Sequence, residues 1–414
     1  MAQPNPDIDR IAETYIRLVL GLGLHDPDYV DAYYGPEELR AQAGQKKLPL
    51  AELGKAAADS IGAVKTLGTA GDRESLPELR RRYLLRQLQA AAARIEMLQG
   101  KKFTFDEESQ ALYDAVAPAH TEEHFQKILV ELGDILPGSG GVPDRYETFR
   151  KSFVIPVDRL DSVFRAAVHE SRARTRKRIA LQENESFTIE YVTGKTWSGY
   201  NWFKGQSHSL IQINTDFPIT IDRAVDLASH EGYPGHHVYN SLLEANLVRE
   251  RGWWEYSVYA LFSPQSLVAE GTANFGIEMA FPSDERVDFE REVLFPAARL
   301  DANMAGHYYA AHELFQKLGF AGNEAARGYL NGTITREEAT DWLIRYALMS
   351  PDRARQRTRF FDQYRSYVIN YNLGQDMVRH FVESRGGTAD QPDKRWKIFE
   401  QLLSSPRLPS DLVA

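Results

Sequence analysis

Three of the eleven histidines in this chain fall within eight residues, and a glutamate follows the first of them: His230-Glu231-Gly232-Tyr233-Pro234-Gly235-His236-His237. Imidazoles and carboxylates are the donors that hold a zinc ion, and a hydrolytic zinc site also needs an open position for water with a base beside it. The common helical solution, H-E-x-x-H, sets two histidines on one face and the glutamate next to the water. Here proline occupies position 234, and His230 is followed by His236 at a spacing of six. Six residues turn a regular helix by about 600°, which points the two rings to different faces. Pro234-Gly235 supplies a cause for distortion. Proline removes a backbone hydrogen bond and clashes with the preceding turn, and glycine tolerates the backbone angles that follow. A bulge there would bring His236 to where residue i+4 normally sits. His237 competes as the second ligand: seven residues return to the same face, but about 10 Å along the axis. The plain alternative is a helix end with three incidental histidines.

A third ligand is expected from another helix. Val268-Ala269-Glu270-Gly271-Thr272-Ala273-Asn274-Phe275-Gly276-Ile277-Glu278 has small residues at 271, 273 and 276 that allow a close helix approach. Glu270, Asn274 and Glu278 recur every four residues on one face. Glu270 is the candidate ligand, and Glu278 a candidate to orient a histidine through its free ring nitrogen. An oxyanion formed opposite a metal needs a donor, often Tyr or His; Gly306-His307-Tyr308-Tyr309-Ala310-Ala311-His312 and Tyr371 offer these, with core packing the alternative for Tyr308 and Tyr309. Arg299, Arg345 and Arg365 are candidates for bidentate contact with a peptide carboxylate, or plain surface residues. His120-Thr121-Glu122-Glu123-His124 fits the inverted zinc motif H-x-x-E-H. With Pro118 before it and acids in what would be a first turn, it reads as a helix start instead.

The elements that must position these groups are mostly helical. Residues 78–98 are rich in Leu, Arg, Gln and Ala, and Ser75-Leu76-Pro77-Glu78 reads as a capped start. The spacing predicts further helices over 125–136 and 157–181. Phe187–Val192 and Ser209–Asn214 alternate and predict two short strands, with Trp197-Ser198-Gly199-Tyr200-Asn201-Trp202 between them. Such a sheet either packs the core or offers an edge to which a peptide can add as a strand. Helix returns from Ile221 to the end. Pro137-Gly138-Ser139-Gly140-Gly141 is the clearest break.

The 414 residues include no cysteine, so thiolate ligands and disulfides are excluded. The net charge of -9 argues against a nucleic-acid partner. Met1-Ala2-Gln3-Pro4-Asn5-Pro6-Asp7 does not look like a signal peptide, and no apolar run reaches the roughly 20 residues of a membrane span.

The run from Ser209-Leu210-Ile211-Gln212-Ile213-Asn214-Thr215-Asp216 through Ala228-Ser229 into the histidine cluster resembles the bacterial domain-of-unknown-function family 885, distant relatives of gluzincin metallopeptidases. Leu136-Pro137-Gly138, Trp197 to Trp202, Ser263-Pro264-Gln265-Ser266, Ala269-Glu270-Gly271 and Tyr371-Asn372-Leu373-Gly374 agree with that pattern, from about residue 105 onward. Glu270-Gly271-Thr272-Ala273 stands where members often have E-G-W-A. The resemblance implies His230, His236 and Glu270 as metal ligands, preferring His236 over His237 through the Gly235-His236 pair. It implies Glu231 as general base and matches His307 to a family histidine.

Together these readings predict a mainly α, gluzincin-like helical enzyme with a small β-sheet next to the active-site helix and a deep cleft. They divide it into an N-terminal helical part (1–144) and a catalytic part (145–414), or one continuous domain. They predict a zinc peptidase acting on short peptides, of carboxypeptidase or dipeptidase type, with Zn2+ as cofactor and His230, His236 and Glu270 as its ligands. Glu231, His307 and Tyr371 are the catalytic candidates. The alternatives are a zinc hydrolase of a non-peptide amide or ester, and a non-catalytic binding protein. The partner is a peptide, with no nucleic acid and no membrane span. The expected compartment is the cytoplasm, or an exported form whose signal has been removed.

Overall fold

The computed structural model describes residues 6–413; residues 1–5 of the N-terminal segment read above for a signal lie outside the described residues. The chain is mainly helical with two small sheets. A 23-residue helix spans Leu76–Leu98 and starts after Ser75 with proline in its first turn, a position where the missing N–H costs nothing. The Glu122–Ile135 helix opens with Glu122 and Glu123, which suit the positive helix start. The helix expected over 157–181 is shorter: a 3-10 turn, Val157–Arg159, leads into Leu160–Arg176. It stops early because the amides of Arg178 and Ile179 both close back onto the Thr175 carbonyl, which tightens the last turn.

Two strands are expected from sequence, and five are present among the described residues. β1 (Val30–Tyr33) pairs antiparallel with β5 (Val258–Ala260). In the second sheet β2 (Ser186–Val192), β3 (Gly199–Gly205) and β4 (His208–Asn214) lie in the order β2-β4-β3. β4 runs parallel to β2 and antiparallel to β3. Its Ser209, Ile211 and Ile213 are buried, while Leu210 and Gln212 are half-buried, the alternation of a strand packed on one face. β3 is the aromatic, glycine-flanked stretch that sequence reading left between two strands; Trp197, Tyr200 and Trp202 stack along it.

One hydrophobic core runs from Ile8 to Leu412 and draws on residues either side of the Pro137–Gly141 break. At its centre two helices, Pro264–Ala280 and Ile369–Ser384, cross at Gly271 and Gly374. A Cβ on Gly271 would lie 2.4 Å from the Gly374 carbonyl oxygen, and one on Gly374 would lie 2.7 Å from that of Leu267. Only glycine fits at this approach. No helix among the described residues is long and apolar enough to cross a membrane.

Candidate metal centre

The helix that begins at Asp222 does not continue regularly through the histidine cluster. Residues Ala228–Gly232 form a π turn, and a new helix, His236–Leu243, starts directly at His236. The amide of Tyr233 donates to the Ala228 carbonyl at 3.0 Å, and that of Gly235 to Ser229 at 2.9 Å. The Tyr233–Pro234 bond is cis. A π turn widens the helix, and the Pro-Gly break re-aims the chain after it. The result sets the His230 and His236 rings edge to face, with centroids 4.7 Å apart.

Glu270, from the Pro264–Ala280 helix, completes the group. Its Oε2 lies 3.2 Å from His230 Nε2 and 3.8 Å from His236 Nε2. One donor atom from each of the three lies within 4.8 Å of the other two. The other carboxylate oxygen accepts from the Tyr367 hydroxyl at 2.8 Å. The tautomer of His230 follows from Asn274. The Asn274 amide nitrogen donates to the Tyr371 carbonyl at 2.9 Å, so its oxygen faces His230 Nδ1, 2.9 Å away. Nδ1 therefore donates, and Nε2 turns towards Glu270.

The electrostatics follow from burial and from which charges face each other. Burial pulls His230 down, but the adjoining Glu270 and Glu231 carboxylates more than offset it and hold its pKa up to about 9. Burial lowers His236 to about 4, with the neighbouring Glu270 opposing only in part. Burial also pushes Glu270 up, but the two imidazoles and the Tyr367 hydroxyl bring it below the usual range. Glu231 is raised to about 7, by burial first and by Glu270 against the pull of His230. Its carboxylate lies against β3, where a Cβ on Gly199 would come within 2.8 Å of Oε1.

These residues fit a divalent zinc ion. Glu270 Oε2 is buried, makes no hydrogen bond of good geometry and has the two imidazole nitrogens as its facing groups, so a cation is needed there, either a protonated His230 or a metal ion. Two imidazole nitrogens and one carboxylate oxygen are donors that zinc takes, and their separations suit bonds of about 2.0–2.2 Å.

His237 belongs to a different network. Its Nδ1 pairs with Ser209 Oγ at 2.8 Å and its Nε2 with Glu185 Oε2 at 3.2 Å. Glu185 also accepts from the Tyr233 hydroxyl and from Arg172. With both ring nitrogens engaged, His237 ties the His236–Leu243 helix to β4.

Other candidates fall away from the cluster. His307 Nε2 bonds to the Ile135 carbonyl at 2.8 Å, and its ring packs on Phe149; position on a shared helix did not bring it to the metal ligands. Glu278 pairs with Arg379 and Gln375, and Asn274, one turn earlier, orients His230 instead. Arg365 pairs with Glu108 at 2.6 Å and exposed Arg345 with Glu122, while Arg299 is exposed. The His120 and His124 rings meet at 4.5 Å, tilted by 31°, but Glu123 is exposed to solvent.

Tyr371 lies near the cluster: its carbonyl accepts from Asn274 and its ring lies 5.8 Å from that of Tyr367, while burial raises its phenol well above the usual value, with Glu270 adding to this. Sequence reading missed Asp31 on β1. Burial, then Glu270 and Glu231, push its carboxyl up to about 8, and Tyr200 donates to it. No local pattern marks this residue; only the pairing of β1 with β5 places it there.

A second acid and histidine cluster joins Asp222 and Asp226, on the helix that leads into the π turn, to His312 on the Ala305–Gln316 helix. Its charges are already matched. Asp226 pairs with Arg286 at 2.8 Å and Arg223 at 3.1 Å, and Asp222 accepts from the Tyr308 hydroxyl at 2.5 Å. Burial raises Asp222, but His312 and Arg150 more than offset it and hold it far below the carboxylate range. This is a hydrogen-bonded charge network around Tyr308.

No protein-family model matches the chain, and no curated protein does. Two solved structures are similar. One, described as a putative lipoprotein from Colwellia psychrerythraea, is 15% identical, with 90% of this chain and 70% of that chain covered and a TM-score of 0.53. The other, described as a putative lipoprotein of unknown function from Shewanella oneidensis, is 13% identical, with 88% and 75% covered and a TM-score of 0.45. The resemblance to domain-of-unknown-function family 885 and its gluzincin relatives is corrected by these findings: no family model supports it, and the neighbour at a TM-score of 0.53 is described as a putative lipoprotein. A short run of histidines and a glutamate is a matter of local donor chemistry, and such chemistry recurs without kinship.

Proposed function

We propose that the chain is a zinc-dependent hydrolase of peptide bonds. The observation that carries this reading is the convergence of the buried Glu270 Oε2 and two imidazole nitrogens, with Glu231 beside them. His230, His236 and Glu270 would hold the ion, which when bound supplies Lewis acidity to a water and a carbonyl. The gluzincin-like part of the expected architecture rests on this donor set alone, two imidazoles from one distorted helix and a carboxylate from the next.

Glu231 is suited to take the proton of an attacking water and pass it to the leaving amine. A general base works best with a pKa near the working pH, and burial brings Glu231 to about 7. The Tyr371 phenol keeps its proton, because burial and the carboxylates of Glu270 and Glu231 raise it, so it can donate to a developing negative oxygen. β3 lies against Glu231 and is an outer strand of its sheet, which suits an extended peptide backbone.

The test is zinc analysis of the purified chain joined to a peptide-cleavage profile, repeated with Glu231→Gln. The expected result is one zinc per chain in both proteins and hydrolysis only in the first. A Glu231→Gln variant that cleaves at the original rate, or a chain that takes up no zinc, refutes the proposal. A panel of non-peptide amides and esters separates peptide from other substrates. Cell fractionation decides between the cytoplasm and an envelope location of the kind that the Colwellia description implies for that protein.

A further inference from the structure

The two buried arginines among the described residues, Arg80 and Arg286, have acid partners. Arg80 pairs with Glu255 and Arg286 with Glu290 and Asp226, and the half-buried Arg365 pairs with Glu108. Arg357, on the Pro351–Tyr364 helix, has none among the described residues, and its Nε is buried without a hydrogen-bond partner. Aromatic rings surround its guanidinium instead: Phe360 at 4.4 Å, Phe361 at 5.8 Å and Tyr371 at 5.8 Å. Burial lowers its pKa, and only Tyr371 opposes that.

Arg353 lies one turn earlier on the same helix. It rests on the Phe217 ring and donates to the Pro218 carbonyl at 3.2 Å. Burial and the nearby Arg150 and Arg223 lower it to about 10, against Asp222. The helix therefore sets the unpaired Arg357 guanidinium against Tyr371, whose phenol also feels the acidic Glu270 and Glu231, while Arg353 sits with Arg150, Arg223 and Asp222.

A cation removed from water without a counter-charge is unfavourable, and the planar guanidinium fork matches a carboxylate in two parallel hydrogen bonds. Rings stacked on the guanidinium hold that fork in one plane. Tyr371 links this cation to the chemistry, since its phenol feels Arg357 together with Glu270 and Glu231. We propose that Arg357 receives the C-terminal carboxylate of a peptide, so that the site removes residues from the free C-terminal end. This inference rests on the peptidase reading above and names its substrate class.

The test uses the full chain carrying Glu231→Gln, loaded with zinc and immobilised, so that bound peptides survive. It is offered two libraries of N-acetylated tetrapeptides that differ only in ending as acids or as amides. Acids should be retained at least tenfold over amides. Adding Arg357→Met should abolish the preference with zinc per chain unchanged, and adding Arg357→Lys should keep part of it. Removing an unpaired buried charge should leave the thermal midpoint unlowered, which separates loss of recognition from loss of fold. Equal retention of both libraries, retention of neither, or a preference that survives Arg357→Met overturns the inference. Wild-type cleavage of acids and amides at one rate would do so while leaving the zinc-peptidase reading intact. Acid-selective retention by a chain that binds no zinc would support the anion site and sink the peptidase reading.

Discussion

Gly235→Ala tests the geometry of the metal centre most directly. A Cβ at this position would lie 1.9 Å from the His230 carbonyl oxygen and 2.4 Å from that of Ser229. Both are backbone atoms, so no side chain can swing away. Reaching ordinary contact requires a displacement of about 1.5 Å, and the atom pushed belongs to the residue that carries one ligand. Metal-ligand geometry tolerates only about 0.2–0.5 Å, so one imidazole must leave the cluster. Loss of a group that merely orients a ligand already costs about 10–100-fold in affinity, so zinc affinity should fall by about 100-fold or more. Overpacking should also destabilise the metal-free protein by about 1–3 kcal/mol. The assay is zinc competition against a chromogenic chelator, with thermal unfolding of the metal-free protein alongside. Gly276→Ala is the control: its Cβ would meet the Pro234 ring at 3.2 Å, a contact the neighbour relieves by a few tenths of an ångström, so zinc binding should persist. A Gly235→Ala protein that holds zinc with unchanged affinity would falsify the account of how His230 and His236 meet.

Three further outcomes are expected. His237→Ala should keep one zinc per chain in elemental analysis, yet lower stability by about 1–3 kcal/mol in denaturant titration, because Ser209 and Glu185 lose a buried partner. His120→Ala should leave zinc content unchanged; loss of metal would move the site to the His120–His124 pair. Asp222 has a folded pKa far below its unfolded value near 4, so its stabilisation is present above about pH 4 and is lost as pH falls further. Asp222→Asn should therefore lower stability at neutral pH by about 3–5 kcal/mol and flatten the acid limb of the stability profile. An unchanged acid limb would show that Asp222 is not the titrating group.

The sequence carried the parts of this site that are local. Proline and glycine between two histidines announced a distorted helix, and small residues after Glu270 announced a close crossing. The helices with clear periodicity and breakers, such as those ending near Leu98 and Ile135, were legible for the same reason. What escaped was non-local or doubly determined. β1 and β5 are short and separated by more than two hundred residues, so Asp31 has no neighbour in sequence that hints at its place. β3 was hidden because Gly199 and Gly205 bound a short aromatic run with no clean alternation of apolar and polar residues. His307 and Glu278 share helices and motifs with plausible partners, yet the packing of neighbouring elements gave them to Ile135 and Arg379. Arg357 looked like any other arginine in a basic helix. Its distinction is the lack of an acid around it, and absence of a partner is written only in three dimensions.

The crossing at Gly271 and Gly374 has a consequence for how the protein can vary. Glu270 sits immediately before one of these glycines and Tyr371 one turn before the other. A carboxylate and a phenol are thus mounted on a joint made of bare main chain, whose spacing no rotamer can adjust. Drift at either glycine would shift both groups at once, so the two helices are bound to change in concert or to stay as they are.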